Sequence, residues 1–342
     1  MTKSGTPWWD APIRTPITRR QALRGAALAS AAGVLGCAPG EDGADGRAPA
    51  AGPTTGQAGG PDDGPAVRNG RIRQVVVSWP YMVFGEEWDL DTLCQVTVDL
   101  GCQGIELVGP DEWPTMREYG LTCALAVNGM PDPPFVKGLN NLAYHEEVIG
   151  RTRRRIEECA EADVPSVIAF NGFKYRDAED PTSGEIPPDE GAANTVAGLK
   201  ELALDAERHG VTICLEHLNT RVDDHDFKGH PGYQGDDIDY CADIIREVGS
   251  PRVKLLFDIY HVQIMDGDII ARIREYGTDL IGHVHTAGVP GRGELDATQE
   301  LQYAPIMETL LEIGYTGYVG QEFIPTRDPR QGLWEAVRAC DV

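Results

Sequence analysis

The sequence predicts an α/β fold, a (β/α)₈ barrel, and three observations carry that reading. From Arg71 onward, eight short apolar runs alternate with eight longer amphipathic segments. Several helical segments stop at a glycine just before the next apolar run, as at Leu100-Gly101, His209-Gly210 and Ile313-Gly314. Four runs, VTICLE, VKLLFD, GHVH and YVGQE, end in a carboxylate or an imidazole: Glu216, Asp258, His285 and Glu322. Those ends lie 42, 27 and 37 residues apart, the spacing of one strand-helix unit each time.

Taken in order, the expected strands are Val75–Ser78, Gly104–Val108, Thr122–Val127, Ser166–Phe170, Val211–Glu216, Val253–Asp258, Ile281–Thr286 and Gly317–Glu322. Each is four to six residues of mostly β-branched or apolar side chains bounded by polar or glycine positions. The helical patterns between them are Asp91–Gly101, Trp113–Tyr119, Glu146–Ala162, Ala192–His209, Asp236–Val248, Asp268–Tyr276, Ala304–Ile313 and Leu333–Ala339. Two long polar segments, Asn171–Glu190 and Asn219–Gly235, follow the fourth and fifth expected strands. In a barrel such segments lie over the face where strand C-termini meet, as lids. No GxGxxG, phosphate loop or internal repeat is present.

The chain of 342 residues is 41% hydrophobic, enough for one large core of about 250 residues. Its first residues read differently. TRRQALRG with Arg19 and Arg20, then the Ala26–Leu35 run, matches the pattern of a twin-arginine export signal too short to span a membrane. Val34-Leu35-Gly36-Cys37 reads as a lipobox, so residues 1–37 are expected to export the chain and to anchor it at the outer face of the cell membrane through a lipid on Cys37. Residues 38–70, rich in Gly, Pro, Ala and Asp, are expected to be a disordered tether, and residues 71–342 the barrel.

The net charge of −24, spread along the chain, argues against a nucleic-acid partner and suits a small polar substrate. With Cys37 assigned to lipid, seven of the eight cysteines remain, without a framework spacing or a CxxC. They are expected to be small buried thiols rather than disulfides or a zinc cluster.

Chain ends of adjacent parallel strands meet at one face, so Glu216, Asp258, His285 and Glu322 are expected to converge. Three carboxylates and an imidazole form an oxygen-rich site suited to one divalent ion, Mn²⁺, Mg²⁺ or Co²⁺. A buried carboxylate ending an apolar strand is costly unless it is paired or metal-bound, and the bland alternative for each is an ion pair with Arg or Lys. Around this set, His261, Arg292, Glu106, Asn219 and Arg221 are candidate substrate contacts, and Trp79 a pocket wall. His217 points away from Glu216 along its strand and His283 lies deeper than His285, so both are read as structural.

The strings LEHLNTR, FDIYHVQIMDGD, IGHVHTAGVPGRGE and EIGYTGYVGQEFIPT resemble the xylose isomerase-like superfamily of sugar isomerases and epimerases, hydroxypyruvate isomerase most of all. The resemblance runs from about Val75 to the C-terminus. It implies a TIM barrel with one ion held by Glu216, Asp258, His285 and Glu322, and implies that Glu216 and Glu322 are the acid-base pair. Two departures stand out. His285 sits where hydroxypyruvate isomerases tend to carry Gln and ketose 3-epimerases carry His, and the PGRGELDATQE loop lacks the usual ending.

The expected activity is therefore isomerisation of a small α-hydroxy carbonyl compound, a sugar or hydroxy-keto acid, by Glu-mediated proton transfer through a metal-stabilised ene-diolate. Arg292 would suit a substrate carboxylate. The alternatives are a ketose 3-epimerase, an inosose-type dehydratase and a non-catalytic sugar-binding barrel. An endonuclease would need a basic groove and more histidines. The resemblance is also compatible with a homo-oligomer.

Overall fold

The computed structural model describes residues 60–342. Eight parallel strands form one sheet: β1 Arg73–Val77, β2 Gly104–Glu106, β3 Thr122–Cys123, β4 Ser166–Phe170, β7 Thr212–Glu216, β8 Val253–Asp258, β9 Ile281–Thr286 and β10 Tyr318–Gln321. Their spatial order is β3-β2-β1-β10-β9-β8-β7-β4. A parallel bridge between Ala126 and Val167 brings β3 back to β4 and rounds the sheet into a barrel. All eight strands fall where the apolar runs placed them, and a helix follows each.

Alternation along the strands sorts side chains into two layers. Val167, Ile213, Leu215, Val253, Leu255, Phe257, Val284 and Val319 face the surrounding helices within the larger apolar core. Burying a side chain such as Phe257 there stabilises the fold by about 2–3 kcal/mol. The opposite faces of the same strands point inward. On one side of the interior, Ile168, Phe170, Cys214 and Leu256 make a small apolar cluster with Leu125, Leu218 and Tyr233. The other side carries Glu106, His283 and His285, all buried. Among the described residues all seven cysteines are free and buried.

Helix ends are set locally. Asp237 accepts hydrogen bonds from the backbone N–H groups of Asp239 and Tyr240 to start the helix Ile238–Val248, and Gly249 ends it in the left-handed conformation. Asp258 does the same for a short helix, Ile259–Met265, which is not among the helical segments expected from the sequence. The helix Trp79–Val83 after β1 was likewise unread.

The segment after β4 is not irregular throughout. It contains an antiparallel hairpin, β5 Tyr175–Asp177 with β6 Asp180–Glu185. The two expected lids are joined to each other. Phe173 and Tyr233 form an antiparallel bridge, Lys174 N–H donates to Gly232 O at 2.8 Å, and Gln234 N–H donates to Gly172 O at 3.0 Å.

The export signal at 1–37, with Cys37, lies outside the described residues, as does most of the expected tether. Its last part does not match the expectation. Residues 60–70 lie against the barrel, with Ala66 fully buried. The Asp341 carboxylate accepts the backbone N–H groups of Arg68, Asn69 and Gly70 at 2.7–2.9 Å. Composition could not show this, because the partner sits at the other end of the chain. Among the described residues no helix is long and apolar enough to cross a membrane.

Candidate metal centre

Glu216 ends β7, Asp258 ends β8, His285 lies near the end of β9 and Glu322 follows β10. Register places Asp258 beside His285, and His285 beside Gly320, two residues before Glu322. Inward-facing positions at the C-terminal ends of neighbouring strands therefore converge. One ligand atom from each of the four lies within 4.8 Å of every other, and all four residues are buried.

The electrostatics are unequal around the set. Glu322 is heavily engaged. Arg292 Nη2 and Trp79 Nε1 donate to it at 2.7 and 2.9 Å, and His285 Nδ1 lies 3.0 Å away. Burial pushes its carboxyl upward, but Arg292 and His285 win and hold it well below the usual range. Among the described residues, the one ion-pair partner of Glu216 within 4 Å is His285 Nδ1, at 3.9 Å. Burial, then the Glu322 charge, pushes it well above the usual carboxylate value. The same two causes raise Asp258 to about 7.

The arrangement fits a divalent cation. Asp258 Oδ2 is buried without a hydrogen-bond partner, and three carboxylates share two cationic neighbours, Arg292 and His285. A hard-to-borderline ion would meet both needs.

The expected substrate contacts divide. His261 is fully buried, with Nε2 3.6 Å from Asp258 Oδ2 and without a hydrogen-bond partner. Its Nδ1 accepts the Asn219 backbone N–H at 3.0 Å, so Nε2 carries the proton and faces the cluster. Burial, with Arg292 beyond it, lowers its pKa well below the usual value and keeps the ring neutral.

Asn219, expected to touch substrate, has its amide occupied by Lys228 O at 2.8 Å and by His261 Nδ1 at 2.7 Å. It holds His261 instead. Arg292 is buried between the faces of Trp79 and Tyr260, donates to Phe227 O, and lies on Glu322 and Asp258. The guanidinium is thus turned to the protein's own carboxylates rather than left open for a substrate carboxylate. Glu106, also expected to touch substrate, faces His283 and His285 instead. Burial opposes its ionisation, yet the two imidazoles bring it down to about 2. Arg221 donates to Ile264 O at the periphery. His217 points away from the cluster toward Asp266, at 3.4 Å.

Two residues were not read from the sequence. Phe227 stacks on Trp79 at 5.4 Å and extends the aromatic wall. His230 is buried, its ring 4.3 Å from Phe135 and 5.7 Å from His261. Burial first and Arg292 next push it down to about 3, so it is a neutral polar group beside the cluster. Its only sequence signal is a histidine between Gly229 and Pro231 in the second lid.

Fold and site together define an α/β-barrel protein with a four-residue candidate cation centre at the strand C-termini. The chain belongs to the xylose isomerase-like TIM barrel family, whose sequence profile matches residues 94–340. It is 30% identical to a 2-oxo-tetronate isomerase from Cupriavidus necator over 258 residues, 74% of this chain and 93% of that protein. It is 35% identical over 159 residues, 44% of this chain, to a Homo sapiens protein named "Putative hydroxypyruvate isomerase", and the match spans 55% of that protein. Among solved structures, a 3-keto-D-glucoside 4-epimerase from E. coli superposes with a TM-score of 0.62 at 21% identity, covering 79% of this chain and all of that one. That likeness is one of fold.

Proposed function

We propose that this protein is a divalent-metal-dependent isomerase of small α-hydroxy carbonyl compounds, of the hydroxypyruvate or 2-oxo-tetronate kind. The observation that carries the reading is the convergence of Glu216, Asp258, His285 and Glu322, with one glutamate free and the other held. The relatives with matching sequence are named as isomerases, which supports it.

Glu216, Asp258, His285 and Glu322 would hold the ion, which when bound supplies a Lewis acid that polarises the substrate carbonyl. The chain's own groups account for the rest. Glu216, with no ion-pair donor closer than 3.9 Å among the described residues, has the carboxylate oxygen free to take a proton from carbon. Glu322, fixed by Trp79 and Arg292, faces the reaction from a defined direction and, once protonated from solvent, would return a proton there while Glu216 gives its own up to solvent. His261 presents Nε2–H toward a substrate oxygen, and neutral His230 lines the same side. Trp79, Phe227 and the joined lids keep water from the reacting carbon.

Returning the proton to the opposite face of the same carbon would make the reaction an epimerisation, a reading favoured by histidine at position 285. Incubating the Mn²⁺-loaded protein with hydroxypyruvate, 2-oxo-tetronates and a panel of ketoses, with products identified by NMR, tests both. An aldose-ketose pair supports isomerisation and a new diastereomer epimerisation. No conversion by protein that binds Mn²⁺ rejects the proposal. Export through residues 1–37 belongs to the same reading, and lipid labelling of the wild type but not of Cys37→Ser tests it.

A further inference from the structure

Beneath the carboxylate cluster, the barrel interior holds a second charged group that the chemistry above does not use. Glu106 on β2 has no exposed surface, and His283 and His285 on β9 are buried with it. Glu106 Oε2 lies 2.7 Å from His283 Nε2, and Oε1 lies 3.1 Å from His285 Nε2. The two rings stand perpendicular with centroids 5.1 Å apart, so the carboxylate meets one nitrogen edge of each. A carboxylate this deep is strongly destabilising unless it is paired, and these two imidazoles are the groups within ion-pair distance of it.

One of the two intervening strands is shaped around this contact. Gly320 on β10 pairs in register with His285. A Cβ at Gly320 would lie 1.8 Å from Glu106 Oε1 and 3.0 Å from His285 Cδ2. Gly320 is not among the glycines with positive φ, so backbone conformation does not call for glycine there. Space for the Glu106 carboxylate does.

We propose that Glu106 is a positioning residue for the metal-ligand set: it holds the Nε2 edge of His285, so that Nδ1 faces Glu216, Asp258 and Glu322. The proposal rests on the metal reading given above. With Glu106 behind the ring, Nδ1 stands 3.0 Å from Glu322 and 3.9 Å from Glu216. A ring turned over would put carbon where the ligand nitrogen belongs. His283 braces the second carboxylate oxygen, and Gly320 provides the room. Carboxylates behind metal-bound imidazoles commonly fix ring orientation, and their loss weakens metal binding by about 10–100-fold.

The test is Mn²⁺ affinity of the metal-stripped full-length protein, read by electron paramagnetic resonance of free Mn²⁺, with no substrate present. Glu106→Gln keeps the shape and removes the charge. It should weaken Mn²⁺ binding by about 10–100-fold while far-UV circular dichroism stays unchanged. Gly320→Ala, which displaces the carboxylate without altering it, should weaken binding as well. Glu106→Asp keeps the charge one methylene short and should fall between wild type and Glu106→Gln. A folded Glu106→Gln protein that binds Mn²⁺ within twofold of wild type overturns the proposal. Should Glu106→Gln fail to fold, wild-type affinity in both Gly320→Ala and Glu106→Asp overturns it. Wild-type protein that binds no Mn²⁺ would bring down the metal reading and this inference together. Wild-type binding that is insensitive to all three variants removes this inference alone.

Discussion

Removing a carboxylate from the candidate centre should stabilise the metal-free protein. Glu216 faces Asp258 and Glu322 across no more than 4.8 Å. At an effective dielectric constant of about 20, each such pair repels by about 3 kcal/mol. His285, at 3.9 Å, offsets about 4 kcal/mol of this. A net penalty of about 2 kcal/mol remains at neutral pH, and Glu216→Gln abolishes it. For a domain of this size that corresponds to a Tm increase of about 3 °C.

The sign with pH follows from the raised pKa. Between the unfolded-state value of about 4.3 and the higher folded-state value, the folded protein binds more protons than the unfolded chain. Stability therefore falls as pH rises through that window, and the advantage of Gln grows with it. Calorimetry of the EDTA-treated proteins should show Glu216→Gln melting about 3 °C above wild type near pH 8, with the gap closing toward pH 5. Saturating Mn²⁺ should raise wild type well above the variant and reverse the order. A metal-free variant that melts below wild type near pH 8, or a gap unchanged near pH 5, would refute the reasoning.

Other outcomes follow from single contacts. Asp341→Ala leaves the N–H groups of Arg68, Asn69 and Gly70 without their acceptor and should lower stability by about 3 kcal/mol, read as a shifted urea midpoint. Burial pushes the Asp341 carboxyl up, but the hydrogen bonds from Asn69, Gly70 and Arg68 leave it lowered. Its contribution is therefore full above the unfolded pKa of about 3.9 and is lost as pH falls through the folded value. Gly138→Ala would place a Cβ 2.1 Å from Asn171 O, backbone against backbone, and should destabilise by about 3 kcal/mol in the same assay. His261→Phe should lower turnover by about 100-fold while the Mn²⁺ dissociation constant stays within twofold, because His261 lies outside the ligand set.

The barrel was legible because its strands obey a simple alternation, and the convergence of the candidate ligands because each member closes an inward-facing run. Asp258, His285, Glu216 and Glu322 could be placed from spacing alone. What failed to show depends on contacts between distant parts of the chain. Residues 60–70 look like tether until Asp341, more than 270 residues away, is seen to bind them. Glu106 ends an inward-facing strand like the candidate ligands do, but its carboxylate meets the Nε2 edges of His283 and His285. Asn219 and His230 lie in the second lid, whose path is fixed by the Phe173–Tyr233 bridge and by His261 rather than by local pattern. Arg292 was found but misdirected, since only the fold shows Trp79 and Tyr260 closing on both faces of its guanidinium.

The measurement that bears most directly on the account is solvent-proton incorporation. Mg²⁺-loaded protein in D₂O, followed by NMR with hydroxypyruvate, 2-oxo-tetronates and ketoses, should place deuterium at the carbon next to the carbonyl. Glu216→Gln and Glu322→Gln should each abolish the incorporation while remaining folded. Deuterium entering at the wild-type rate in either variant, or none entering with any substrate in wild-type protein shown to bind its metal, would contradict the assignment of these two glutamates as the proton-transfer pair.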